Sequence, residues 1–204
     1  MQTIILATTN PDKIKEYQAL LGNLPLKLVL PPTVISVAET GKTFSLNARL
    51  KAEAYGQKFK LPVLADDTGL CIKAMHNQPG ILSHHFARRG FPAARKKILK
   101  ALNGLPLLKR QACFVCALAY YDPKSRKTTV FTGRANGFIA LQETGSHGFG
   151  YDPIFFSTQL KTTFAQCSLK QKNQVSHRGI AFKKFIAASK ASKHKEINPV
   201  LIKS

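Results

Sequence analysis

A mixed α/β fold is predicted by three features of the sequence. Short apolar runs alternate with segments of helical periodicity, two runs flank a four-residue turn as an antiparallel pair, and no internal repeat, linker or low-complexity block interrupts them. Thr3–Thr8 reads as the first strand. Asn10-Pro11 then reads as an N-cap with proline at the first helical position, opening a helix to about Leu21 whose Ile14, Tyr17 and Leu21 share a face. Leu26–Leu30 is a second strand, ended by Pro31-Pro32. A helix from about Thr43 to Phe59 follows, with Leu46, Leu50 and Ala54 as its apolar positions. Val63–Ala65 reads as a short buried strand delivering Asp66-Asp67, and Leu70–Lys73 as another. Pro92–Leu102 is a basic amphipathic helix. Cys113–Tyr121 and Lys127–Ala135 pair around Asp122-Pro123-Lys124-Ser125, which are good turn residues. A glycine-rich loop spans 145–153, and a helix is predicted from Ser176 to about Ala191. Residues from about 189 to 204 have little pattern and read as a fraying basic tail on one domain that spans 1–204.

The chain has 204 residues, enough to bury a core, and its apolar fraction of 44% is that of a folded globular protein. No apolar run reaches the length of a membrane span, and Met1-Gln2-Thr3-Ile4-Ile5-Leu6 lacks the basic start of a signal peptide, so a cytoplasmic location and no membrane partner are expected. Lys and Arg number 31 against 10 acidic residues, a net charge of +21. That field attracts anions without choosing among nucleotide, nucleic acid and membrane surface. Of the four cysteines, Cys113 and Cys116 form a C-x-x-C on a strand, where positions three apart face opposite ways and cannot share an ion. All four read as reduced thiols in or near the core.

Four segments concentrate chemistry. Asp66-Asp67 places adjacent carboxylates at a strand end, where a cation would relieve their repulsion; Asp-Asp-Thr-Gly is equally good turn chemistry. Glu39 offers a further oxygen, and few carboxylates completed by substrate phosphates is the usual Mg²⁺ arrangement. Ala7-Thr8-Thr9-Asn10-Pro11-Asp12-Lys13 passes from a strand through a polar turn into a helix, the form of a phosphate site or of a simple N-cap. In Gly148-Phe149-Gly150-Tyr151-Asp152-Pro153, Phe149 and Tyr151 either offer aromatic faces to a base or turn into the core. Lys172 and Ser176-His177-Arg178-Gly179 offer donors. Cations in a first helical turn oppose the helix dipole and so point to a ligand. A donor-lined pocket suits a 6-keto purine and rejects adenine.

In order along the chain, residues 7–16, 39–52, 65–70, 79–83, 148–155 and 176–179 resemble the inosine/xanthosine triphosphate pyrophosphatase family over almost the whole length. The resemblance implies a long twisted mixed β-sheet flanked by helices, two lobes with the active site in the cleft between them, and a homodimer. It implies hydrolysis of non-standard purine nucleoside triphosphates (ITP, dITP, XTP) to the monophosphate and pyrophosphate, with Mg²⁺, or Mn²⁺ in its place. Thr8, Thr9, Asn10, Pro11, Asp12 and Lys13 would hold the triphosphate with Lys51. Asp67 would be the proton acceptor and a metal ligand with Glu39, supported by Asp66. Thr68 would touch substrate, and Phe149, Gly150, Tyr151, Asp152, Lys172, His177 and Arg178 would form the base pocket. The sequence departs from the family pattern at Ala38, where a carboxylate is common, and at Leu46 and Gln166, where glutamates are usual. Two rival readings compete. Ser36–Thr43 nearly matches a phosphate-binding P-loop with Lys42 as its lysine, although Ser36 stands where the first glycine belongs. The charge also suits a nucleic-acid-binding protein, a partner that the enzymatic reading does not require.

Overall fold

The first apolar run forms strand β1 (Gln2–Leu6), and Asn10 caps helix α1 (Pro11–Leu21) by accepting hydrogen bonds from the amides of Asp12 and Lys13. The structure is a computed structural model that describes residues 2–196, with side chains as far as residue 191. Strand β2 (Leu26–Val29) and helix α2 (Phe44–Phe59) follow, and then strand β3 (Val63–Ile72). Beyond β3 lie β4 (Gln78–Pro79), α3 (Ser83–Phe86) and α4 (Phe91–Ala101). The long hairpin β5 (Gln111–Asp122) and β6 (Lys127–Ile139) comes next, then β7 (Phe155–Ser157) and β8 (Thr162–Thr163). Helices α5 (Leu169–Val175) and α6 (His177–Glu196) complete the described chain.

One mixed sheet runs in the order β2-β1-β3-β5-β6-β7-β8, with β4 beside the end of β3. β1 is parallel to both neighbours and the other pairings are antiparallel. The β5–β6 turn closes as its residues predict, with Asp122 accepting from the amides of Lys124 and Ser125 and from the Ser125 hydroxyl. Alternation of side chains across the strands separates the core. Ala65, Ala117 and Ala119 pack on α2, whereas Leu64, Cys116 and Leu118 pack on α1 and α6. A third cluster gathers Leu70, Phe114 and Phe155 with Ile98 of α4.

Three expectations are corrected and one helix is added. Val63–Ile72 is one strand rather than two with a turn between them, because residues 66–69 pair one for one with Leu118, Ala117, Cys116 and Val115 of β5. That continuous pairing overrides the turn preference of Asp-Asp-Thr-Gly. Helix α2 buries Ala48, Ala52, Tyr55 and Gly56, not Leu46, which is exposed. Small residues bring this helix so near the sheet that a Cβ on Gly56 would lie 2.0 Å from the Tyr121 ring. Helix α5 was not predicted, although Ser168 and Gln171 form a capping box at its start. Finally, α6 continues past Ala191 to Glu196, so the first part of the expected tail is helical, and 197–204 lie outside the described residues.

Candidate active site

β1 ends its pairing at Leu6↔Leu64 while β3 runs on, and β4 meets β3 only at Cys71 and Ile72. The edge of β3 between those points therefore lacks a neighbouring strand, and side chains take over its backbone groups. Lys51 Nζ donates to the carbonyl of Asp66 at 2.8 Å, and the amide of Leu70 donates to Ser83 Oγ at 2.9 Å. This open edge floors a cleft of about 430 Å³ walled by the start of α1, by α2 and its preceding loop, by α3 and by the 149–152 loop.

Consecutive residues on a strand face opposite ways, and Asp66 and Asp67 obey that rule. Asp66 points to the α1 side, where its Oδ2 meets Lys13 Nζ at 2.9 Å, Arg178 Nη2 at 3.2 Å and Thr68 Oγ1 at 2.7 Å. Burial opposes its charge, but Lys13, Arg178 and Lys51 together hold its carboxyl well below the usual carboxylate range. Asp67 points to the α2 side, accepting from Asn47 Nδ2 at 3.1 Å and from the Thr68 amide at 3.0 Å. Burial raises its pKa, and the nearby charge of Glu39 adds to the rise against the opposing pull of Lys51 and Asn47. One aspartate is thus a permanent anion and its neighbour a more basic carboxylate. The strand separates the two carboxylates, and the repulsion that the sequence suggested a cation would relieve is met at Asp66 by protein cations.

Behind Asp66 lies a buried ion cluster. Glu16 on α1 accepts from Lys172 at 2.7 Å and from Arg178 through its other oxygen, and Lys172 also meets Asp152 at 2.5 Å. All four side chains are at most 3% exposed. Burial works against the Lys172 charge, but Asp152 and Glu16 outweigh it and raise its pKa. These partners also account for Arg178 in the first turn of α6, which the sequence reading assigned to a ligand. Buried unlike charges here offset the dipole penalty.

Phe149, which also lines the cleft, is half-buried, with Lys172 Nζ 5.0 Å from its ring centroid. Of the two alternatives the sequence left open for these aromatics, Tyr151 takes the core-facing one. It is 3% exposed, packs edge-on against Phe91, and donates its hydroxyl to the Ser83 carbonyl. Gly148 has φ of 72°, and a Cβ there would lie 2.1 Å from Asp152 Oδ2, so the loop needs glycine at that turn. His177 stacks on Phe114, and burial, with Arg178 and Lys172 nearby, pushes its pKa well below the ordinary value. It is therefore a neutral imidazole, not the cation expected from sequence. Its Nδ1 has no partner among the described residues.

The cleft gathers nearly every residue singled out in the sequence. It is lined by Thr8, Thr9, Asn10 and Lys13 from the start of α1, by Glu39 and Lys51, by Asp66, Asp67 and Thr68 of β3, and by Phe149 to Asp152, Lys172, His177 and Arg178. Pro11 and Asp12 do not line it, because they turn into the first coil of α1. Neither does Lys42, which is exposed beside the α2 cap Thr43, and this removes the P-loop reading. Sequence reasoning missed Glu16 and Asn47. A carboxylate on the same turn of α1 as buried Tyr17 was the available signal for the first; nothing local marked the second. Glu39 Oε1 bonds Lys51 Nζ at 2.8 Å. Together with Asp67 it supplies an oxygen-only pair on separate elements, open toward the cleft. Among the described residues no group of three His, Cys, Asp or Glu is placed to hold a metal. The pair therefore suits a hard cation that takes its remaining ligands from water and phosphate.

Comparison with known proteins places the chain among relatives along nearly its whole length. A dITP/XTP pyrophosphatase of Geobacillus kaustophilus (strain HTA426) is 41% identical over 189 residues, covering 90% of this chain and 92% of its own length. The enzyme of the same name from Halalkalibacterium halodurans is 39% identical over 188 residues, covering 90% and 96%. The HAM1 protein of Coxiella burnetii superposes with a TM-score of 0.82 at 34% identity, over 94% of this chain and all of that one. The Ham1 protein of Staphylococcus aureus gives 0.81 at 35%, with the same coverage. The Ham1 family model matches residues 4–188, from β1 through most of α6, and so contains every residue that lines the cleft; the chain belongs to the Ham1 family.

Proposed function

We propose that this protein is a nucleotide pyrophosphatase that hydrolyses the non-standard purine nucleoside triphosphates ITP, dITP and XTP to the monophosphate and pyrophosphate, clearing them from the nucleotide pool. The observation that carries the reading is the opposed pair of aspartates, one held ionised by cations and one left basic, in a cleft lined with phosphate- and base-sized donors.

In this reading the triphosphate lies along Thr8, Thr9, Asn10 and Lys13 at the start of α1, with Lys51 opposite. The amides and cations there balance its charge. The purine lies on Phe149, and its keto oxygen accepts from the Lys172–His177–Arg178 group. His177 lines the cleft together with Phe149, Lys172 and Arg178, which supports this placement. Adenine, with an amino group at that position, leaves such donors unpaired. A water attacks the α-phosphorus in line; Asp67 accepts its proton, and the bond from the α-phosphorus to the bridging oxygen breaks. Lys13 and Lys51 offset the charge of the departing pyrophosphate. Asp67 and Glu39 would hold Mg²⁺, or Mn²⁺ in its place, which when bound supplies electrostatic stabilisation of the phosphates. The enzyme acts as a homodimer, which light scattering would report as twice the chain mass.

The test is a panel of ITP, dITP, XTP, GTP and ATP, assayed for pyrophosphate with and without Mg²⁺. Release from the first three that requires the metal is expected. Equal turnover of ATP, or release of inorganic phosphate alone, would overturn the assignment.

A further inference from the structure

β3 leaves the sheet after Ile72 and the chain returns at Gln111 in β5; the excursion between them carries α3 and α4, including the cleft residues Ser83, His84 and Phe91. At the neck of that excursion Cys71 and Cys113 stand directly opposite one another in the β3–β5 register. Residues so opposed in an antiparallel pair have Cα atoms roughly 4.5 or 5.5 Å apart, and both values lie within the span of a disulfide, about 4.4–6.8 Å. Both cysteines are free thiols; Cys71 is half-buried and Cys113 is 4% exposed. The other two cysteines are differently placed. Cys116 is fully buried on the opposite face of β5, and Cys167 donates to the Thr163 carbonyl.

We propose that Cys71 and Cys113 form an oxidisable thiol pair, which a hydroperoxide converts to a cross-strand disulfide that clamps the neck of the α3–α4 wall. Arg134 on β6, on the same face and paired with Val115, supplies the activating charge. A hydrogen bond with Cys71 and the Arg134 guanidinium pull the Cys113 thiol down to about 7, against the effect of burial. Its thiolate attacks one oxygen of hydrogen peroxide. The O–O bond breaks, and the departing hydroxide takes up a proton to become water. The resulting sulfenic acid is attacked by the Cys71 sulfur; the S–O bond breaks, the S–S bond forms, and the oxygen leaves as a second water with the Cys71 proton. Two thiols lose two electrons in total, and one peroxide becomes two waters.

The experiment is hydrogen peroxide treatment of the full chain, followed by intact mass, thiol titration under denaturing conditions and a non-reducing peptide map. The expected product has lost two hydrogen atoms and two titratable thiols, joins the peptides carrying Cys71 and Cys113, and is reversed by dithiothreitol. Closing the loop between Cys71 and Cys113 should raise the Tm by roughly 8–16 °C. Cys71→Ser and Cys113→Ala should each remove both the cross-link and the shift. A thiol count that stays at four, oxygen addition at cysteine without a cross-link, or a link joining any other pair overturns the proposal. The wild-type map decides the matter even where a variant folds poorly.

Discussion

Asp66 and Asp67 are adjacent on β3, yet their carboxylates face opposite sides of the sheet, one 2.9 Å from Lys13 and the other 3.1 Å from Asn47. Their substitutions should therefore fail in different ways. Asp67→Asn has one acceptor oxygen for two donors, so it gives up either the Asn47 or the Thr68 bond and should fold with a loss of about 1–2 kcal/mol while losing about 10²–10⁴ in kcat. Asp66→Asn leaves Lys13 and Arg178 without their shared anion and should cost roughly 3–5 kcal/mol in urea unfolding. Matching losses of stability in the two variants would sink the distinction.

Lys51 opposes the upward shift of Asp67, so Lys51→Met should raise that pKa further. In the proposed mechanism Asp67 accepts a proton, which requires its ionised form, so activity should fall as pH drops through its pKa. The acid limb of kcat/KM should then move to higher pH in the variant. An acid limb that stays put would assign the titration to another group.

Glu16 and Asp66 both have folded-state pKa values below their unfolded ones. Such groups add stability above the unfolded value, about 4 for carboxylates, and that contribution fades as pH falls through the lowered folded values. Unfolding free energy should therefore decline steeply below about pH 4. Glu16→Leu should flatten this decline while lowering stability at neutral pH by about 3–5 kcal/mol, since Lys172 and Arg178 lose a common partner. Urea titrations at several pH values measure both effects.

A Cβ on Gly133 would lie 1.9 Å from the His177 carbonyl, backbone against backbone. Gly133→Ala should push the start of α6 off β6, costing about 1–3 kcal/mol and raising KM for the nucleotide through displacement of His177 and Arg178. Loss of stability with no change in KM would show that the helix start accommodates the methyl group elsewhere.

With a net charge of +21, encounter with a polyanionic substrate should be accelerated by the field of the whole protein. Raising the ionic strength from about 0.05 to 0.5 M shortens the Debye length and should lower kcat/KM several-fold with a smaller change in kcat. Stopped-flow or initial-rate assays in NaCl series test this; a flat profile would confine the charge to a role outside substrate capture.

Local chemistry made much of this protein legible from its residues alone. Asn10-Pro11 opens α1 because the cap and the proline act within one turn, and Asp122 to Ser125 close the β5–β6 hairpin for the same reason. The ordered motifs also placed nearly all of the cleft-lining residues they named. What needed the tertiary structure was every relation set by partners distant in sequence. Asp-Asp-Thr-Gly stays extended only because β5 pairs with it, and that extension is what turns Asp66 and Asp67 apart. Glu16 becomes the anchor of Lys172 and Arg178 across more than 150 positions, and Cys71 meets Cys113 across the neck of an excursion. Periodicity and capping are short-range and can be read along a chain. Burial, ion pairing and the pKa values that follow from them depend on which distant groups the fold brings within a few ångströms.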